Sequence, residues 1–239
     1  MTTMRLPTVI VHCIKTGRNQ IWIWVLLLLP GAGGIAYVAV EILPDLFRSR
    51  TAQRTVRGMK RTLDPGADLR RAESEARMTG NVASKQRYGD ELLRQGRFAD
   101  AIAVYREGLT GLYEHDPSLM LGLAQAQFGL GDATAARQTL DALIANNPDF
   151  KSPAGHLLYA RALEQEGNVA KAIEEYRVIA HTYPGAEAAV RFAQLLKAQG
   201  RNDEARAVLE DLLDEARMAP AHYRKAQKDW LAIAEREMR

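Results

Sequence analysis

Four glycines set the frame of this chain. Gly96, Gly131, Gly167 and Gly200 stand 35, 36 and 33 residues apart. Five residues after each comes an alanine, at Ala101, Ala136, Ala172 and Ala205, and nine after each a large apolar residue, at Tyr105, Leu140, Tyr176 and Leu209. Twelve residues before those alanines lies another small residue, Gly89, Ala124, Ala160 or Ala193, with a bulky neighbour just ahead of it, Tyr88, Leu123, Tyr159 or Phe192. A period in this range marks an array in which one supersecondary unit is stacked on the next. Within a unit the spacing predicts two helices joined at the glycine, which ends the first helix because it enters the left-handed conformation without steric cost. The small residues mark the crossing, Gly89 opposite Ala101 and Ala124 opposite Ala136, since helices approach closely only where facing side chains are short. Pro117, Pro148 and Pro184 separate one unit from the next.

This pattern resembles the tetratricopeptide repeat (TPR), a helix-turn-helix unit of about 34 residues with a small residue in the eighth place, glycine in the fifteenth, alanine in the twentieth and proline in the thirty-second. Counted from Pro117, the second unit puts Ala124, Gly131, Ala136 and Pro148 in those places; counted from Pro153, the third puts Ala160, Gly167, Ala172 and Pro184 there. The outer units depart from it: Pro117 arrives about four residues late after Gly108 and Leu109, and the fourth unit has no proline until Pro220. The twenty-seventh place, alanine in the family, holds Gly108, Leu143, Ile179 and Leu212, which leaves the packing between units open. The resemblance covers residues 82–218 and, in four in-phase copies, is specific for fold and silent on partner.

The net charge of +3 is unevenly placed: residues 1–61 carry nine Lys or Arg against Glu41 and Asp45, and the rest carries 23 basic against 27 acidic residues. A basic stripe for nucleic acid on the repeats is therefore disfavoured. The single cysteine, Cys13, excludes an internal disulfide and a multi-cysteine metal site.

Residues 21–40 run for twenty positions without a charge. As a helix this is about 30 Å, the thickness of a bilayer core. Ten of the twenty are Ile, Leu or Val, and their insertion into lipid is favourable by roughly 3 to 6 kcal/mol. Pro30, Gly31, Gly33 and Gly34 interrupt the run, as membrane helices tolerate, and Trp22 and Trp24 suit an interface. A cleaved signal peptide is the competing reading, because Gly33-Gly34-Ile35-Ala36 imitates a cleavage region; apolar residues continuing to Val40 and a following arginine cluster favour a retained span. The apolar stretch at residues 6–14 is too short to cross. Arg5, Lys15 and Arg18 precede the span, while Arg48, Arg50, Arg54, Arg57, Lys60 and Arg61 follow it, which places the repeats in the cytoplasm. The same six residues are either contacts for anionic lipid heads or a topology signal alone. The span also resembles the hydrophobic amino-terminal segment of phospholipase D and cardiolipin synthase relatives, on Pro30, Gly34 and Tyr37 over about 25 residues. Catalysis in that family needs a His-x-Lys motif, but His12 is followed by Cys13, Ile14 and Lys15, one residue out of register. The resemblance implies membrane residence without the activity.

The fold class expected is all-α: an N-terminal transmembrane helix, then an α-solenoid of about four TPR-like hairpins with a C-terminal capping helix. By position, the expectation is a tail at 1–20, a transmembrane helix at 21–43, a basic juxtamembrane linker at 44–66, the repeats at 67–218 and the cap at 219–239. Residues 68–78 read as a charged helix ended by Gly80 and Asn81, covering the apolar edge of the first repeat. In the cap, Tyr223, Ala226, Trp230 and Ile233 recur at helical spacing.

No chemistry of catalysis emerges. His12, His115, His156, His181 and His222 lack the spacing and neighbouring carboxylates of a zinc site, and neither a phosphate-binding glycine loop nor a Gly-x-Ser-x-Gly turn is present. No cofactor or metal is expected. The TPR resemblance implies a concave groove lined by the first helix of each pair. On the family's phase its lining includes Gln86, Asp90, Leu93, Leu121, Gln125, Phe128, Leu157, Arg161, Glu164, Gln194 and Lys197. Ala83, Ser118, Ala154, Glu187 and Val190 complete these rows. The lysine and asparagine clamp of chaperone-tail-binding members is not reproduced. Leu93, Leu121, Phe128 and Leu157 form an apolar strip that either receives a partner helix or peptide or packs against neighbouring helices. The expectation is a single-pass protein of a bacterial inner membrane whose repeats gather protein partners. Two alternatives are an accessory subunit of a lipid-synthesising enzyme and an envelope-complex protein with its repeats outside the membrane.

Overall fold

The computed structural model describes Asp64 and residues 66–238. The expected tail, transmembrane helix and basic linker, with Arg48, Arg50, Arg54, Arg57, Lys60 and Arg61, lie outside the described residues except for Asp64 and Gly66. The chain divides at Ala67, and apart from that residue the elements below belong to the unit Asp68–Arg239. Among the described residues every regular element is helical: α1 Ala67–Thr79, α2 Val82–Arg94, α3 Phe98–Gly108, a 3-10 turn Gly111–Tyr113, α4 Pro117–Gly129, α5 Ala133–Asn146, α6 Pro153–Gln165, α7 Val169–Ile179, α8 Glu187–Ala198, α9 Asn202–Met218, α10 Ala221–Ala226 and α11 Lys228–Glu237. None of these helices is long and apolar enough to cross a membrane. The pairs α2/α3, α4/α5, α6/α7 and α8/α9 are the four hairpins, and each packs on the next to make a solenoid.

The turn inside each hairpin is built the same way four times. Gly96, Gly131, Gly167 and Gly200 adopt φ of +72°, +95°, +79° and +75°, the left-handed region. The residue after each donates its N–H five residues back: Arg97 to Leu92, Asp132 to Gln127, Asn168 to Leu163 and Arg201 to Leu196, at 2.9 to 3.0 Å. This closes the orphan carbonyls of the first helix and starts the second almost at once. Ala101, Ala124, Ala136, Ala160, Ala172, Ala193 and Ala205 are wholly buried, as the crossing of two helices requires. Gly89 is buried too, but its counterpart extends beyond Ala101. A Cβ at Gly89 would stand 2.6 Å from the Tyr105 ring, and one at Gly122 would stand 2.5 Å from it. One turn on from Ala101, the phenol fills the space between α2 and α4, so two glycines make room for one ring.

Starts and joints between units differ. Pro117 and Pro153 take the first turns of α4 and α6, where Asp116 and Ser152 cap the amides of Ser118, Leu119 and Gly155. The four late residues of the first unit are absorbed by the 3-10 turn Gly111–Tyr113. The fourth unit, with no proline in the first turn of α8, starts differently: no side chain on its own loop caps the helix, and the Ala186 amide donates instead to Gln227 Oε1 of the tail at 3.1 Å. At the twenty-seventh place Gly108 admits Leu119, to which a Cβ would come within 3.0 Å, while Leu143, Ile179 and Leu212 are buried.

Both ends of the array are covered. Leu69 of α1 packs on the first core with Leu92, Tyr105 and Leu119, while Arg87 pairs with Glu75 at 2.7 Å and Thr79 donates its hydroxyl to that of Ser84 at 2.8 Å. The tail, read as one helix from sequence, is two. The chain turns at Gln227, whose side chain is committed to the α8 loop, so α10 stops there and α11 lies along α8 and α9 with Ala234 fully buried.

Candidate interaction groove

The first helices of the hairpins, α2, α4, α6 and α8, carry the expected groove residues. On α2, Gln86 and Leu93 are half-buried and Asp90 is exposed; on α4, Leu121, Gln125 and Phe128 are half-buried. On α6, Arg161 and Glu164 are half-buried, and on α8 Gln194 and Lys197 are. Leu157 departs from the expectation: at 5% exposure it belongs to the main core with Ala160, Leu163 and Val190 and is closed to any ligand. The apolar strip resolves toward packing. Leu93 rests on the core around Leu92 and Tyr105, and Leu121 and Phe128 on Ala124, Leu140 and Leu158.

Downstream of α4 the groove residues are engaged by other side chains of the protein. The Arg161 guanidinium lies over the Phe128 ring, 4.7 Å from its centroid, and reaches Glu187 at 3.7 Å. Glu187 accepts from Arg191 at 2.8 Å, and Arg191 in turn lies 5.3 Å from the centroid of Trp230 on α11. A guanidinium over an aromatic face is attracted by the ring quadrupole, so two rings and two cations enclose one carboxylate. Glu164 accepts the Tyr176 hydroxyl at 2.7 Å, and burial, reinforced by Glu164, raises that phenol well above its ordinary pKa. At the far end, Lys197 Nζ donates to Glu237 Oε2 at 3.0 Å and to the Glu237 carbonyl, and Gln194 donates to Glu237 Oε1 at 3.3 Å. These bonds hold the Glu237 carboxyl below the usual carboxylate range. The last two expected groove residues are thus engaged by the protein's own C-terminal helix.

Around α2 and α4 the face is more open. Asp90 Oδ1 accepts the hydroxyl of wholly buried Tyr105 at 2.6 Å, and desolvation followed by Asp90 itself pushes the Tyr105 pKa up, so the phenol stays a donor. Sequence reasoning missed the roles of Tyr105 and Tyr176 as props for groove carboxylates, and missed Arg191 and Glu237. The signal for the tyrosines was their common place nine after the turn glycine; for Arg191 it was the i, i+4 spacing from Glu187.

A second concavity of about 400 Å³ opens where α5 ends, α6 begins and α7 ends, lined by Leu143, Phe150, His156, Tyr159 and Ile179 among others. The bulky Leu143 and Ile179 at the twenty-seventh place line its wall. Tyr159 donates to Asp141 at 2.9 Å, and burial first, then Asp141, pushes its phenol up to about 12. Among the described residues no three or more His, Cys, Asp or Glu side chains converge in a manner that fits a metal ion.

The family profile described as tetratricopeptide repeat matches residues 92–161 and 163–228, more than half of the chain. No curated protein sequence matches the chain. Among solved structures, the crystal structure of MamA superposes with a TM-score of 0.57 at 19% identity, covering 71% of this chain and 96% of that one. MamA 41-end from Desulfovibrio magneticus RS-1 gives 0.58 at 15% identity, covering 72% and 99%. A kinesin light chain with nearly identical TPR-like repeats from Podosopora anserina gives 0.52 at 19%, covering 65% and 86%. Identities this low carry a likeness of fold.

Proposed function

Since the chain belongs to the tetratricopeptide repeat family, we propose that it is a scaffold held by residues 21–43 in a bacterial inner membrane, with its repeats in the cytoplasm gathering protein partners. The observation that carries the scaffold reading is the array itself: four hairpins stacked on one another, with the exposed or half-buried polar side chains of Gln86, Asp90 and Gln125 along the first helices. A stiff array in which each unit packs on its neighbours offers an extended surface of the kind that gathers partners, and we assign it no catalysis. The anchor rests on the uncharged run at residues 21–40, and the orientation on the six Lys and Arg residues that follow it.

Leu112 is fully exposed on the 3-10 turn and provides the test. In a Cys13→Ser background, Leu112→Cys is expected to react with a membrane-impermeant maleimide only after cells are lysed, and the chain to remain in the membrane fraction after carbonate washing. Labelling of intact cells would reverse the orientation and favour an envelope complex. Release by carbonate would remove the anchor. The partner-gathering role is tested by crosslinking in membranes: captured proteins are expected with the natural chain and to be lost on Gln125→Lys, and capture indifferent to groove substitutions would sink it.

A further inference from the structure

The two halves of the groove differ in what they leave available. In the second half Arg161 and Arg191 both pair with Glu187, half-buried Glu164 accepts the Tyr176 hydroxyl, and Gln194 and Lys197 are occupied by Glu237 of α11. In the first half α4 bears no charged residue at all, and α2 bears five. Of those five, Lys85 pairs with Glu107 at 2.8 Å, Arg87 with Glu75 at 2.7 Å, and Glu91 with Arg94. Asp90 alone has no cationic partner among the described residues, and it is exposed. One of its oxygens is fixed by the Tyr105 hydroxyl, which leaves the other presented in a constant direction. Gln86 lies one helical turn before Asp90, and Gln125 takes the place of Asp90 in the next unit; neither amide has a partner among the described residues.

Resting on the scaffold reading, we propose that the half-groove of α2 and α4 takes an extended, basic segment of a partner protein, with a lysine or arginine on the free oxygen of Asp90 and backbone groups on the amides of Gln86 and Gln125. Charge complementarity selects a cation, because Asp90 is the one charge of this half without an opposite. The two free amides select an extended chain, because a helix keeps its own backbone groups engaged. The packing of Leu93, Leu121 and Phe128 points the same way: they rest on the core and leave no deep apolar slot of the kind that anchors of a docked helix enter.

The test uses the full chain in detergent and two pools of short fluorescent peptides, identical but for a central lysine or a central glutamate, read by anisotropy at low salt. The lysine pool is expected to bind about three- to fivefold more tightly, the range of an exposed ion pair. Asp90→Asn, which keeps the acceptor for Tyr105, is expected to erase the difference, and Asp90→Lys to invert it, while Lys197→Met leaves it intact. Equal binding of the pools, or a preference that survives Asp90→Asn, overturns the proposal. If equal binding is also weakened by Gln86→Ala and Gln125→Ala, the basic segment falls while the scaffold reading stands. If neither pool binds and crosslinking in membranes captures nothing that depends on the groove, both fall.

Discussion

The Tyr105 ring ties the interior of the array to its surface. It needs Gly89 and Gly122 on either side and delivers its hydroxyl to Asp90. Gly122→Ala is expected to cost about 1 to 3 kcal/mol, since the new methyl meets a buried ring that has nowhere to move. Tyr105→Phe removes only the hydrogen bond and is expected to cost about 1 kcal/mol, so the two substitutions separate packing from polarity in one set of urea melts. At the turns, Gly131 stands at φ +95° with nothing within 4 Å of where a Cβ would be. Its replacement by alanine is therefore a pure test of backbone strain, with an expected loss of about 1 to 2 kcal/mol read as a lower melting temperature. The turn glycines and Gly89 were visible as a period in the sequence, whereas Gly122 was not. Nor was the reason for Gly89 and Gly122, a ring from another helix, because periodicity reports spacing along the chain and not what fills the gap across it.

At the scale of elements, the fourth hairpin depends on a helix that follows it. Helix α8 lacks the proline and the side-chain cap of α4 and α6, and it receives Gln227 Oε1 at Ala186, Trp230 beside Arg191, and Glu237 on Lys197 and Gln194. The Glu237 carboxyl is held below its ordinary pKa by Lys197 and Gln194. A depressed carboxylate contributes stability above its unfolded value, about 4.3, and loses it as pH falls through the folded one. Hydrogen exchange of α11, corrected for intrinsic rate, is thus expected to be faster in Glu237→Gln than in the natural chain at pH 7, and the difference to shrink as the pH falls below the unfolded value and vanish once it is below the lowered folded one. A difference unchanged by acid would mean that the ion pair does not hold the helix. The lysine at place 197 was legible as a groove residue from the repeat phase alone; its capture by a residue forty positions later was not.

Across the whole molecule, stacking makes stability local. Each hairpin leans on its neighbours, so deleting residues from 219 onward is expected to raise hydrogen exchange in α8 and α9 sharply while α2 to α5 keep their protection. Uniform loss along the array would show instead that the repeats unfold as a single cooperative unit. Ion pairs run along and between helices, such as Arg137 with Asp141 at 2.5 Å and Glu166 at 2.7 Å, and because each uses one charge of either sign they leave the acidic excess of residues 62–239 in place.

The number of hairpins, the residue at which each one turns and the residues that let its helices touch can all be read from the order of amino acids. Those features are local: a left-handed glycine and a short side chain act within one unit and repeat because the unit repeats. Which groove positions remain available was settled by how the units and the tail pack together. Leu157 sank into the core, Arg161 and Glu187 found each other across two units, and α11 came back to take Gln194 and Lys197. Those outcomes depend on contacts between residues far apart in the chain, where pairing of charge and filling of volume choose among partners that no spacing rule distinguishes.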